Sequence, residues 1–89
     1  MIVRISMEDQ YRVEDEETLE QLDHAAIAAV QRGDEAAFRV AYDELLAFVR
    51  AGGPVDADHL GGSDLILPPA DVTLAEARTE FSGEGLLPG

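Results

Sequence analysis

Two histidines, His24 and His59, and 19 carboxylates are the side chains here best able to hold a metal or move a proton. His24 follows Asp23, and His59 sits in the stretch Asp56-Ala57-Asp58-His59-Leu60-Gly61. A zinc site needs three or four Cys, His or carboxylate ligands at fixed spacing. There is no Cys, and each histidine has only loose carboxylates beside it, which is the wrong ligand set. The stretch from Asp56 carries acids at positions one and three and Gly at six, as a calcium loop does. It has Leu60 at five and Leu67 at twelve, where oxygen ligands belong, so the match fails. Gly61-Gly62-Ser63 is no phosphate cradle, because the chain has no Lys to complete one. Ser6, Ser63 and Ser82 lack the base and orienting group that activate a nucleophile. Any carboxylate pair could be drawn from so many acids, so abundance points to none in particular. A cleft of ~300 Å³ is also hard to build in so short a chain. These residues predict no catalytic side chain, no metal and no cofactor, and a protein that is not an enzyme.

The same acids dominate the charge. The chain has 89 residues and a net charge of −13, with 19 acids against 6 bases, all six of them Arg. Hydrophobic residues make up 46%, enough for one globular domain over residues 1–89. A domain this size buries roughly 60–65% of the surface its unfolded chain exposes. With no Cys, no disulfide reinforces that small core. No apolar run approaches the ~20 residues that span a bilayer. Met1–Ile5 does not read as a signal peptide, so a cytoplasmic location is expected. The net charge opposes binding to nucleic acid, where Lys and Arg must replace phosphate counterions. It equally opposes direct docking on an anionic leaflet. It steers the chain toward proteins with basic faces.

The elements that would position these groups read as α+β. Ile2-Val3-Arg4-Ile5-Ser6 and Gln10-Tyr11-Arg12-Val13-Glu14 are short, β-branched or aromatic, and joined by Met7-Glu8-Asp9, which predicts a β-hairpin. Val3 and Ile5 share one face, Ile2 and Arg4 the other, and Tyr11 and Val13 join the buried side. Asp15 is an N-cap, followed by acids that suit the positive end of a helix. Leu19, Leu22, Ala26, Ala29 and Val30 keep helical spacing until Gly33. Asp34 caps a second helix with the stripe Phe38, Ala41, Tyr42, Leu45, Phe48 and Val49, which Gly52-Gly53-Pro54 stops. Glu35 and Arg39 are spaced as an (i, i+4) pair. The short Gly33-Asp34 connection implies an antiparallel αα-hairpin. A turn of helix near Asp56–Leu60 and a short strand Leu65-Ile66-Leu67 are possible readings. Thr73 with Glu76 forms a capping box for a short third helix with Leu74, Ala77, Arg78 and Phe81 on one face. The apolar ending Leu86-Leu87-Pro88 is expected to fold back onto the body. The architecture expected is thus an N-terminal β-hairpin packed on an antiparallel αα-hairpin, with a short third helix.

The densest charge lies in residues 8–23, where eight acids face only Arg12. The candidate partner-contacting residues are Glu8, Asp9, Glu16, Glu17 and Glu20 from that stretch, with Asp64, Pro68 and Pro69 further on. The acids suit a basic surface; the two prolines after an apolar triplet suit an extended recognition segment. Each also has a plainer role, the acids as a solvated helix start and the prolines as a rigid break. Short strand edges also allow copies of the chain to pair.

Four segments together resemble a known family. They are Met1-Ile2-Val3-Arg4-Ile5 with Gln10-Tyr11-Arg12-Val13; Gly33-Asp34-Glu35-Ala36-Ala37-Phe38; Ser63-Asp64-Leu65-Ile66-Leu67-Pro68-Pro69-Ala70-Asp71; and Glu84-Gly85-Leu86-Leu87-Pro88-Gly89. In this order they resemble the PspA-associated domain family, PspAA, over essentially the whole chain. The first turn departs from it, with Met7-Glu8-Asp9 in place of a Gly-containing turn. The resemblance implies a small cytoplasmic, non-catalytic domain that works beside PspA, a helical coiled-coil scaffold of the phage-shock response to envelope stress. It implies no active-site residues. On that basis the chain is expected to be an adaptor or modulator of a PspA-like protein, drawn to the inner membrane face through that partner. The alternative is an acidic decoy that occupies the nucleic-acid-binding surface of a regulator.

Overall fold

A computed structural model of the chain describes residues 1–55 and 62–80. The β-branched N-terminal residues form β1 (Ile2–Ile5), which turns back into β2 (Gln10–Arg12). The pairing is antiparallel, with Val3 opposite Tyr11 and Arg4 opposite Gln10. The turn is closed by the Glu8 N–H donating to the Ile5 carbonyl at 2.9 Å, with Met7 at φ 70°. That left-handed conformation is one that glycine adopts without strain and Met does not. The departure from the family pattern therefore falls where the backbone most favours glycine.

Helices α1 (Glu16–Arg32) and α2 (Glu35–Ala51) follow as the expected antiparallel pair. The Asp15 carboxylate accepts from the Thr18 N–H at 3.1 Å, and the Asp34 carboxylate from the Ala37 N–H at 3.0 Å. Gly33 ends α1 at φ 70°, and the Asp34 N–H donates to the Ala29 carbonyl at 3.0 Å, closing a left-handed C-cap. The sequence stripes point the right way but are incomplete. Ile27 and Leu46 are also buried, and Leu22, Ala41 and Phe48 are only half-buried. Arg39 turns forward to Asp43, with Nη2 2.8 Å from its carboxylate, rather than back to Glu35. The reason is tertiary: the same guanidinium also donates to the carbonyls of Ala70 at 2.9 Å and Val72 at 3.2 Å.

Leu65–Leu67 is a strand, β3, and it lies parallel to β1 with Val3 opposite Leu65 and Ile5 opposite Leu67. The sheet order is β2-β1-β3, so the hairpin is two-thirds of a mixed sheet rather than a unit by itself. Val3, Ile5, Leu65 and Leu67 are buried, while Arg4 and Ile66 face outward. The inner face joins Phe38, Tyr42, Leu45, Leu46 and Val49 of α2 and Leu19, Ala26 and Val30 of α1 in one core. Each fully buried side chain of this size stabilises the fold by about 1.5–3 kcal/mol. Helix α3 (Leu74–Glu80) packs on α1 through Ala77, which is completely buried. Its capping box forms as expected: the Glu76 N–H donates to Thr73 Oγ1 at 3.2 Å, and the Thr73 N–H to Glu76 Oε1 at 3.0 Å. The expected helical turn near Asp56–Leu60, Phe81 at the end of α3 and the folded-back ending lie outside the described residues.

Candidate partner-binding surface

The eight candidate residues separate into two groups once the chain folds. Glu8 is held internally. Arg50 at the end of α2 grips both its carboxylate oxygens, with Nε 3.1 Å from Oε2 and Nη2 on Oε1. That hydrogen bond is the main reason its carboxyl lies below the ordinary carboxylate value. Tyr11, pushed up chiefly by desolvation and then by Glu8 and Asp9, donates its hydroxyl to the same Glu8 at 3.4 Å. Asp64 exchanges bonds with Ile2: its carboxylate accepts from the Ile2 N–H at 2.7 Å and its own N–H donates to the Ile2 carbonyl at 2.8 Å. Pro68 is buried, and its carbonyl accepts from the Tyr42 hydroxyl. Pro69, half-buried, belongs to the segment that Arg39 clamps to α2. Glu8, Pro68 and Pro69 lie where the hairpin tip and the segment after β3 are tied to α2, and Asp64 ties the start of β3 to β1.

Asp9, Glu16, Glu17 and Glu20 are exposed. Three of them stand on the first turns of α1, beside Glu14 and the cap residue Asp15, which are exposed too. Hydrogen bonds from the Thr18 hydroxyl and N–H hold the Asp15 carboxyl below its ordinary value. The exposed positive end of α1 stabilises these acids. Arg12 is the nearest base in sequence, and it enters no ion pair among the described residues. The result is an exposed negative edge.

One acid behaves differently from its neighbours. Asp23 is 1% exposed, on the inward side of α1, and is unavailable to a partner. Sequence reasoning missed this because an Asp next to a His reads as surface. The clue was its position: Asp23 follows Leu19 by four and precedes Ile27 by four, on the buried stripe.

The expectation that so small a chain offers no ligand-sized cleft is not met. Two open grooves of about 460 and 370 Å³ lie at opposite ends of α2. The larger runs between Ala36, Phe38 and Arg39 on one side and Val72 to Leu74 on the other. The smaller lies between residues 12–15 and the last turn of α2, over the ring of Phe48. They arise because helix ends meet irregular connections there, and such junctions pack less closely than element faces. Neither groove is lined by a His or Ser beside a carboxylate. No group of three or more His, Asp or Glu side chains among the described residues is placed to hold a metal ion. No helix of the described residues is long and apolar enough to cross a membrane.

The chain is thus a two-layer α+β unit with four fastened contact candidates and an exposed acidic helix start. The family model for PspAA, the PspA-associated protein, matches residues 1–89. The chain belongs to the PspAA family. No curated protein and no solved structure matches it. PspAA is named for its association with PspA and is not a known enzyme family. Within this PspAA chain, the outward acids are exposed, whereas Glu8, Asp64 and Pro68 are held by internal contacts.

Proposed function

We propose that this chain is a non-catalytic adaptor that binds a PspA-like coiled-coil protein through the acidic start of α1. The family match over the full chain carries the reading, since it links the chain to association with PspA. The exposed Asp9, Glu16, Glu17 and Glu20 support the mode of contact, because they present negative charge that enters no ion pair among the described residues. A net charge of −13 keeps the adaptor itself off an anionic leaflet, so it reaches a membrane only through its partner.

Purification of the tagged chain from its own cells, with membranes solubilised, tests the reading at low and at high salt. Recovery of a PspA-like protein is expected, with the amount falling as salt screens the contact. Recovery that does not change with salt overturns the electrostatic mode. Absence of PspA together with recovery of a transcription regulator that DNA displaces overturns the adaptor reading in favour of a decoy.

A further inference from the structure

The sulfur chemistry of this chain comes down to a single exposed side chain. The chain has no Cys, and its two methionines, Met1 and Met7, carry all of its sulfur. Met1 is half-buried and packs against the core. Its amino group donates to the Val13 carbonyl at 3.0 Å, and the Val13 N–H donates back to the Met1 carbonyl at 2.8 Å. Met7 is the opposite case. It is 91% exposed, more than any other large hydrophobic side chain among the described residues. The turn that carries it is held on both sides. The Glu8 N–H donates to the Ile5 carbonyl at 2.9 Å, the Ile5 N–H to the Asp9 carbonyl at 3.3 Å and the Ser6 N–H to the Leu67 carbonyl at 2.9 Å. The Glu8 carboxylate is gripped by Arg50. A turn fixed in this way leaves the Met7 thioether without cover, and its sulfur stands open to oxidants in solution.

The structure assigns Met7 as a reversible oxidation site at the hairpin tip, with a hydroperoxide as its oxidant. A lone pair of the Met7 sulfur attacks one oxygen of the peroxide bond. The S–O bond forms as the O–O bond breaks. The departing oxygen takes up the proton of the transferred one and leaves as water or an alcohol. Sulfur is oxidised and the peroxide is reduced. The product sulfoxide is polar where the thioether was apolar. Met7 has no place in the core cluster, so the change alters the surface of the tip and leaves the packing intact. The same exposure lets a thiol-dependent methionine sulfoxide reductase reach the sulfoxide, remove its oxygen as water and restore the thioether. The inference is independent of the adaptor reading.

The full chain is treated with hydrogen peroxide under native conditions and in urea, and the added oxygen is located by peptide mass mapping. In the native chain oxygen is expected on Met7 at least about tenfold faster than on Met1, and the difference collapses in urea. The chain oxidised at Met7 keeps the urea midpoint of the parent, and its amide NMR shifts change only near the turn. Methionine sulfoxide reductase with dithiothreitol then returns the parent mass. Met7→Gly removes the sulfur and suits the left-handed φ of 70°, so the variant folds and gains oxygen only at the slow rate of Met1. Equal rates at Met1 and Met7 in the folded chain overturn the assignment. So does a lowered urea midpoint after oxidation, which would place the Met7 side chain in the packing. A sulfoxide that the reductase leaves in place overturns its reversibility.

Discussion

The tip of the β-hairpin and the start of α1 are both acidic, yet Glu8 at the tip and the glutamates at the helix start have opposite fates. At the tip, Glu8 is gripped by Arg50 and touched by Tyr11, so the turn is fastened to the end of α2. At the start of α1, Glu16, Glu17 and Glu20 stay exposed and touch no base among the described residues. Local sequence is similar in the two places. What differs is whether the fold brings an arginine within reach. An acidic run is therefore not one functional unit: part of it fastens the fold and part is left for recognition.

The sharpest way to break the fastened region is at Gly52, where α2 ends against β2. Gly52→Ala sets a Cβ 1.8 Å from the Arg12 carbonyl, and one chain segment must move. A loss of about 2–3 kcal/mol in urea unfolding is expected. Next in size is Tyr42→Phe, which leaves the buried Pro68 carbonyl without its donor and loosens the segment after β3. That costs about 1–2 kcal/mol, measured in the same way.

Glu8→Gln removes the ion pair alone. Its side chain is 27% exposed and that of Arg50 is 42%, so solvent screening holds the loss to about 0.5 kcal/mol. The pH dependence has a definite sign. The folded-state carboxyl is held below its ordinary 4.5, chiefly by the Arg50 hydrogen bond, so the unfolded chain takes up the proton more readily. The stabilisation is complete above that value and is lost as pH falls through the lower folded-state value. The difference in unfolding free energy between Glu8→Gln and the parent chain should therefore vanish in acid. A difference that persists there would show that the pair does not fasten the hairpin.

The smallest effect on stability is expected from Glu16→Gln, Glu17→Gln and Glu20→Gln together, which gives up only a favourable interaction with the helix end, about 0.3–1 kcal/mol. The same triple variant should lose most of its salt-sensitive recovery of PspA. If it instead unfolds as readily as Gly52→Ala, the two regions are not distinct.

Much of the fold was legible before any coordinates. The caps Asp15, Asp34 and Thr73 are local devices that satisfy helix N–H groups with side chains a few residues away, and each formed. Of the candidate surface, the acids on α1 were legible because a helix start displays its first turn to solvent. Glu8, Asp64 and Pro68 were not, since their partners Arg50, Ile2 and Tyr42 stand 42, 62 and 26 residues away. The groove over Phe48 was also hidden. The helical stripe marks Phe48 as core, and only the approach of β2 to the end of α2 leaves its ring half-buried at the surface.

The sequence by itself determined the element types, the two helix stops, the α+β class and the excess of negative charge, because each follows from short-range spacing or from composition. Tertiary structure alone decided that β3 lies parallel beside β1, that Asp23 goes inside, and which acids are fastened and which are free. Those outcomes depend on contacts between residues far apart along the chain, and close packing settles them only when all the elements are in place.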